Sequence, residues 1–239
     1  LEDALAVNPR DLQALTMRAA ADFLADDTTG WRAGRDRVLD LSPGHAELYA
    51  TVGELSVQVR RYEDAVRMGR LGVGLDSLSW HSWGVLGINQ LRLGEMDEGR
   101  ESLERAFAGD PYNVWYKNTL DLLDELDGYI EVETEHFLLV FHPDEAELLA
   151  PMAEALAEEA FDSLSSRYGM APPLPIRVEF FPRHADFSVR TLGLPGLGAL
   201  GVSFGSVLTM DSPAARRRGE FNWGATFWHE TAHAFHLAY

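Results

Sequence analysis

AELYATVGELSVQVRRYEDAVRMGRLGVGLDSLS at residues 46–79 and WHSWGVLGINQLRLGEMDEGRESLERAFAGDPYN at residues 80–113 are two copies of one 34-residue pattern. Asn8-Pro9, Ser42-Pro43, Asp76-Ser77 and Asp110-Pro111 recur at that interval and set the frame. Other positions keep step with it. Leu15, Tyr49 and Trp83 share one register, Val52-Gly53 and Leu86-Gly87 another, Ala65 pairs with Gly99, and Ala4, Val38, Gly72 and Ala106 form a further column. Small residues at fixed phase let two antiparallel helices approach closely, while the large early side chain fills the gap between them.

Residues 12–45 keep the length and the proline but lack the glycine, and Leu1 to Asn8 read as the end of an earlier unit. Val114, Leu120, Leu123 and Leu126 lie on or near one helical stripe, which predicts a capping helix over 114–127. An aromatic early in the unit, a Leu-Gly pair, later small residues and a terminal proline at period 34 resemble the tetratricopeptide repeat, a helix-turn-helix unit. A helical bundle without that relationship is the alternative.

After Asp127-Gly128 the pattern changes, which predicts one domain over 1–128 and a second over 129–239. Ile130, Val132 and Phe137 to Phe141 read as strands. Asp144 is placed to cap a long helix reaching Tyr168, with Pro172-Pro173 beyond its end. Ile176 to Phe181 reads as a strand, Asp186 as the cap of a short helix, and Val202 to Met210 as one alternating strand. That order implies an α+β domain with a small sheet.

The 239 residues carry 46% hydrophobic and 24% charged side chains, a globular composition. A formal net charge of -18 argues against a nucleic-acid or anionic-membrane surface, and the short basic run Arg216-Arg217-Arg218 reads as a solvated loop. No apolar run approaches the roughly 20 residues needed to span a bilayer. With no cysteine in the chain, any metal must be held by His, Asp, Glu or water. The chain opens on Leu1 and reads as a fragment at both ends, so localisation, bacterial cytoplasmic or exported, stays open.

His229-Glu230-Thr231-Ala232-His233 carries the chemistry. Side chains four apart on a helix lie one turn above each other, so His229 and His233 can converge on one Zn2+, with Glu230 beside them to take a proton from the zinc-bound water. A helical wheel puts His236 on the same face, with Trp228, Ala232, Phe235 and Tyr239 forming an adjacent apolar stripe, and predicts a helix buried on most of its circumference. His236 is disfavoured as a third ligand, because three histidines along one straight helix do not easily reach three corners of a tetrahedron. Gly196 to Gly201 spells a dinucleotide fingerprint, but a strand rather than a helix follows it, so the glycines read as a flexible turn. Arg190 and Thr191 are candidates either to touch substrate or to support a loop.

The stretch Gly224 to Leu237 resembles the active-site helix of gluzincin metallopeptidases, and the strands and long helix before it are similar to bacterial peptidase-MA-like domains that follow tetratricopeptide repeats. The resemblance implies a multidomain chain: all-α tetratricopeptide-like repeats, then an α+β zincin-like domain incomplete at its C-terminus. It implies a zinc metallopeptidase acting on a peptide or protein substrate, with the repeats free to bind a protein partner. It also implies a third zinc ligand, a glutamate on a later helix beyond residue 239. An edge strand that pairs with extended substrate is expected at Val202, Ser203, Phe204 and Gly205, or those residues form an ordinary strand. Metzincins place a third histidine where this chain has Tyr239, which disfavours that subclass. The rival reading is a repeat-based interaction protein whose zincin-like domain is inactive or purely structural.

Overall fold

A computed structural model describes residues 1–238 of the chain. The fold is mostly helical with a five-stranded mixed sheet, and it divides into two compact units, Leu1–Tyr112 and Asn113–Tyr239.

The first unit contains α1 (Glu2–Val7), α2 (Leu12–Leu24), α3 (Thr28–Leu41), α4 (Glu47–Gln58), α5 (Tyr62–Leu75), α6 (Trp80–Arg92) and α7 (Met96–Gly109). Helices α3, α5 and α7 begin at 28, 62 and 96 and end at 41, 75 and 109, so the 34-residue interval is the length of one helix pair. The framing residues are the ones that stop a helix: Asn8, Ser42, Asp76 and Asp110 are C-caps with φ between -129° and -148°. A following proline disfavours the helical conformation in the residue before it, which accounts for three of the four. The small-residue columns mark backbone contact between helices. A Cβ on Gly87 would meet Leu103 Cγ at 2.8 Å and the Gly99 carbonyl oxygen and Leu103 nitrogen at 2.9 Å, so the α6 backbone packs closely against both backbone and side chain of α7 there.

His81 on α6 lies between two carboxylates of α4. Its Nδ1 is 3.0 Å from Glu47 Oε2 and its Nε2 2.8 Å from Glu54 Oε1. Both ring nitrogens therefore donate, which requires the imidazolium, and the bonds to Glu47 and then Glu54 push the His81 pKa up to about 10. The group binds its proton more tightly folded than unfolded, so its contribution to stability is complete below the ordinary histidine pKa near 6.5 and is lost as pH rises through about 10. The expected result is a thermal midpoint that falls more steeply between pH 7 and 10 in the wild type than in His81→Gln. Scanning calorimetry of both proteins across that range checks it, and parallel curves would refute it.

The second unit contains α8 (Val114–Leu126), β1 (Ile130–Glu133), β2 (Phe137–Phe141), α9 (Pro143–Tyr168), β3 (Ile176–Phe181), α10 (His184–Leu192), β4 (Gly201–Ser203), β5 (Val207–Asp211) and α11 (Trp223–Ala238). The sequence pattern changes at Gly128, whereas the break in compactness follows Tyr112; the intervening α8 packs on α10. The sheet order is β1-β2-β3-β5-β4, with β2, β3 and β5 parallel and the two edge strands antiparallel to their neighbours. Parallel strands covered on both faces read as nearly continuous apolar runs, as FLLVF does here, while IRVEFF interposes Arg177 and Glu179.

Alternation along the strands assigns the faces. Phe137, Leu139, Phe141, Ile176, Val178, Phe180, Leu208 and Met210 share a core with α9 and α11. The intervening Glu179, Thr209 and Asp211 bond to α10 through Arg190, Thr191 and His184, on the opposite face. Helix α9 contributes Ala146, Ala150, Ala153, Ala157 and Ala160 to the core, small residues that permit a close approach to the sheet.

Three local expectations are corrected. The cap of α9 is His142, whose Nδ1 accepts from the Asp144 backbone N–H, with Pro143 in the first turn. Helix α10 starts at His184, so Asp186 lies inside it. Val202 to Met210 is two strands: Gly205, at φ +103°, reverses the chain, and β4 pairs antiparallel with β5. Val202-Ser203-Phe204 and Leu208-Thr209-Met210 alternate on either side of the turn and read together as one strand, although Gly205-Ser206 and Val207-Leu208 interrupt the alternation.

Candidate functional site

Helix α11 is started by Asn222, whose Oδ1 accepts from the Ala225 N–H. Phe227, Thr231, Ala234 and Phe235 are buried, and Trp228 and Ala232 pack against the same core, which fixes the rotation of the helix. The histidine face points away from that core: His229 and His236 are exposed and His233 is half-buried. The expectation of burial around most of the circumference is corrected in that respect. Tyr239 lies outside the described residues.

The fixed rotation brings His229 and His233 together. Their Nε2 atoms are 3.0 Å apart, and the rings stand nearly perpendicular with centroids at 4.6 Å. Two nitrogens at the usual zinc distance of about 2.0–2.1 Å and at a tetrahedral angle would be separated by about 3.3 Å. The two nitrogens, at hydrogen-bond distance from each other here, stand slightly closer than that span. Among the described residues no group of three His, Cys, Asp or Glu side chains is arranged to hold a metal.

His236 turns elsewhere. Its Nε2 is 2.7 Å from the Tyr168 hydroxyl at the end of α9, which gives it a packing role between the two helices. Glu230 is buried, at 6% exposure, on the side of α11 that faces β4. A Cβ on Gly201 would meet Glu230 Cγ at 2.7 Å and Cδ at 3.1 Å, so the carboxylate side chain lies directly against the edge strand. Gly201 and Tyr168 are the two neighbours that reading the sequence missed. Both contacts span tens of residues, and no local periodicity reports them.

The expected substrate strand is divided by the structure. Val202 and Ser203 lie on the edge strand β4, while Phe204 and Gly205 form the turn; Ser203 and Phe204 are buried, and Val202 and Gly205 are half-buried. Arg190 and Thr191 lie on the α10 side, away from α11. Arg190 Nε is 2.7 Å from Glu179 Oε2, and the Thr191 hydroxyl donates to the Phe187 carbonyl, so both support the fold.

The glycine-rich segment follows helix α10 and leads into strand β4, the reverse of a strand-loop-helix phosphate cradle. It is also pinned: His184 Nε2 bonds to the Leu197 carbonyl at 2.6 Å, and the Leu197 N–H donates to Ser188 Oγ. Arg216 departs from the expected solvated loop, because its Nε donates to the fully buried Asp211 carboxylate at 2.7 Å. That bond ties the segment entering α11 to the end of β5, and the bond from His184 ties the start of α10 to the same carboxylate.

Among the described residues no helix is long and apolar enough to cross a membrane. No protein-family model matches the chain, and no curated protein matches it.

Proposed function

We propose that the second unit carries the N-terminal part of a zinc-dependent peptidase site and that the first unit is a tetratricopeptide-like array that binds a protein partner. The observation behind the first half is the pair of convergent imidazole nitrogens, 3.0 Å apart, with the buried Glu230 adjacent in sequence. His229 and His233 would hold the metal through Nε2, with a glutamate as the third ligand that the gluzincin resemblance implies. A zinc ion in such a site acts as a Lewis acid that lowers the pKa of water to about 7 and polarises a carbonyl. Glu230 takes a proton at its carboxylate as the water attacks the peptide carbonyl carbon, and then delivers it to the nitrogen that leaves. Burial keeps the carboxylate in one orientation and limits the water that competes for it. The 34-residue helix pairs, joined through small-residue contacts, support the repeat half of the proposal.

The test uses the full-length protein. Zinc at about one equivalent per chain and cleavage of a peptide mixture are expected for the wild type, and both are lost in His233→Ala. Zinc bound without any cleavage would favour the rival, an interaction protein with a structural zincin-like domain. No zinc in the wild type would remove the site altogether.

A further inference from the structure

We infer that Gly201 is a positioning residue for Glu230, an inference that rests on the proton-transfer role proposed for that carboxylate. The space beside Gly201 is already filled from α11. A Cβ there would sit 2.7 Å from Glu230 Cγ, 3.0 Å from Thr226 Cγ2 and 3.1 Å from Glu230 Cδ, all on consecutive turns of one helix. Contacts under 3.0 Å force something to move, and the structure limits what can.

The strand cannot retreat easily. Gly201 pairs with Met210 in the β4–β5 ladder, and the Asp211 N–H donates to the Leu200 carbonyl at 2.9 Å. The helix cannot retreat either, because Phe227 and Phe235 on α11 are 0% and 1% exposed within the main core. An added methyl group is therefore accommodated by rotation of the Glu230 side chain. The missing side chain at 201 lets the edge strand serve as a flat wall that selects the carboxylate rotamer. The atoms nearest to a Cβ on Gly201 belong to Glu230 and Thr226, whereas His229 is exposed and bonds to His233, so a methyl group at 201 bears first on the carboxylate side chain.

The experiment compares Gly201→Ala with Gly198→Ala in the full-length protein. Gly198 lies in the same glycine-rich segment, has no atom within 4 Å of its virtual Cβ and does not have a positive φ, so it reports the general effect of an alanine in this loop. With glutamate labelled at the carboxyl carbon, the Glu230 resonance is identified as the one absent from Glu230→Gln. In metal-free protein, that resonance is expected to shift in Gly201→Ala and to stay in place in Gly198→Ala. In the zinc-loaded protein, Gly201→Ala is expected to lower kcat about tenfold to a hundredfold. KM and zinc affinity stay within about threefold, because neither the imidazoles nor the substrate contacts are displaced.

Adding Thr226→Ala opens room on one side of the new methyl group, so the double variant is expected to move the resonance and kcat back toward wild type. It also supplies a folded comparison if Gly201→Ala alone is unstable. An unmoved resonance in Gly201→Ala, or a moved one with unchanged kcat, overturns the inference. If the wild type hydrolyses no peptide, the peptidase reading fails, and the resonance comparison in metal-free protein still decides whether Gly201 fixes Glu230.

Discussion

Glu230→Gln is expected to lower peptide hydrolysis by about two to four orders of magnitude while zinc content stays at the wild-type level. A loss of that size corresponds to roughly 3–5 kcal/mol of transition-state stabilisation. The substitution separates two functions that adjoin in sequence. Glutamine keeps the length and planar end of the side chain, so packing against Gly201 is preserved in a residue only 6% exposed. It cannot take the proton. The Nε2 atoms of His229 and His233 are on the exposed face of α11 and are unaffected, which is why metal content should not follow activity. Zinc analysis alongside peptide hydrolysis decides the matter. Hydrolysis at the wild-type rate in Glu230→Gln would show that another group takes the proton.

Much of this arrangement was legible in the chain because it depends on short-range periodicity. The interval of 34 marked helix pairs through the residues that terminate them, and the four-residue spacing of His229 and His233 put both rings on one face. The features that were not legible are long-range. Nothing near Glu230 indicates that an edge strand beginning at Gly201 lies against it, and a glycine-rich stretch reads as flexible until its carbonyls are seen to be bonded. The reversal at Gly205 was hidden because short alternating stretches flank it on both sides, and the interruption at Gly205-Ser206-Val207-Leu208 spans only four residues. Arg216 looked like solvated charge because its partner, Asp211, is buried on the strand it follows. The outward turn of the histidines was missed for a related reason. Hydrophobic residues surround them in sequence, but the α9 and sheet contacts are taken by Phe227, Ala234 and Phe235, which leaves the histidine face outside.

Arg190→Met is expected to destabilise the second unit by about 3–5 kcal/mol, the usual cost of stranding one member of a buried ion pair. Glu179 is wholly buried in β3 and is held from two sides: Arg190 Nε on α10 is 2.7 Å from its Oε2, and Arg177 Nε donates to its Oε1 at 2.9 Å. The Arg177 guanidinium also donates to Glu131 at 2.8 Å near the surface of β1. Removal of Arg190 leaves a carboxylate in the interior with one partner and an apolar methionine in place of the other. The charge then has to be protonated or solvated, and either route weakens the attachment of α10 to the sheet. The double variant Arg190→Met with Glu179→Leu removes the stranded charge with its partner and is expected to recover most of the loss, because an apolar pair fills the same space without a desolvation penalty. Urea unfolding of the full-length protein, read by amide hydrogen exchange in β3, follows this unit separately from the helical repeats. Exchange protection in Arg190→Met equal to wild type would show that the buried pair adds nothing to the stability of the sheet. A double variant as unstable as the single one would place the cost in packing, with no part left for the stranded charge.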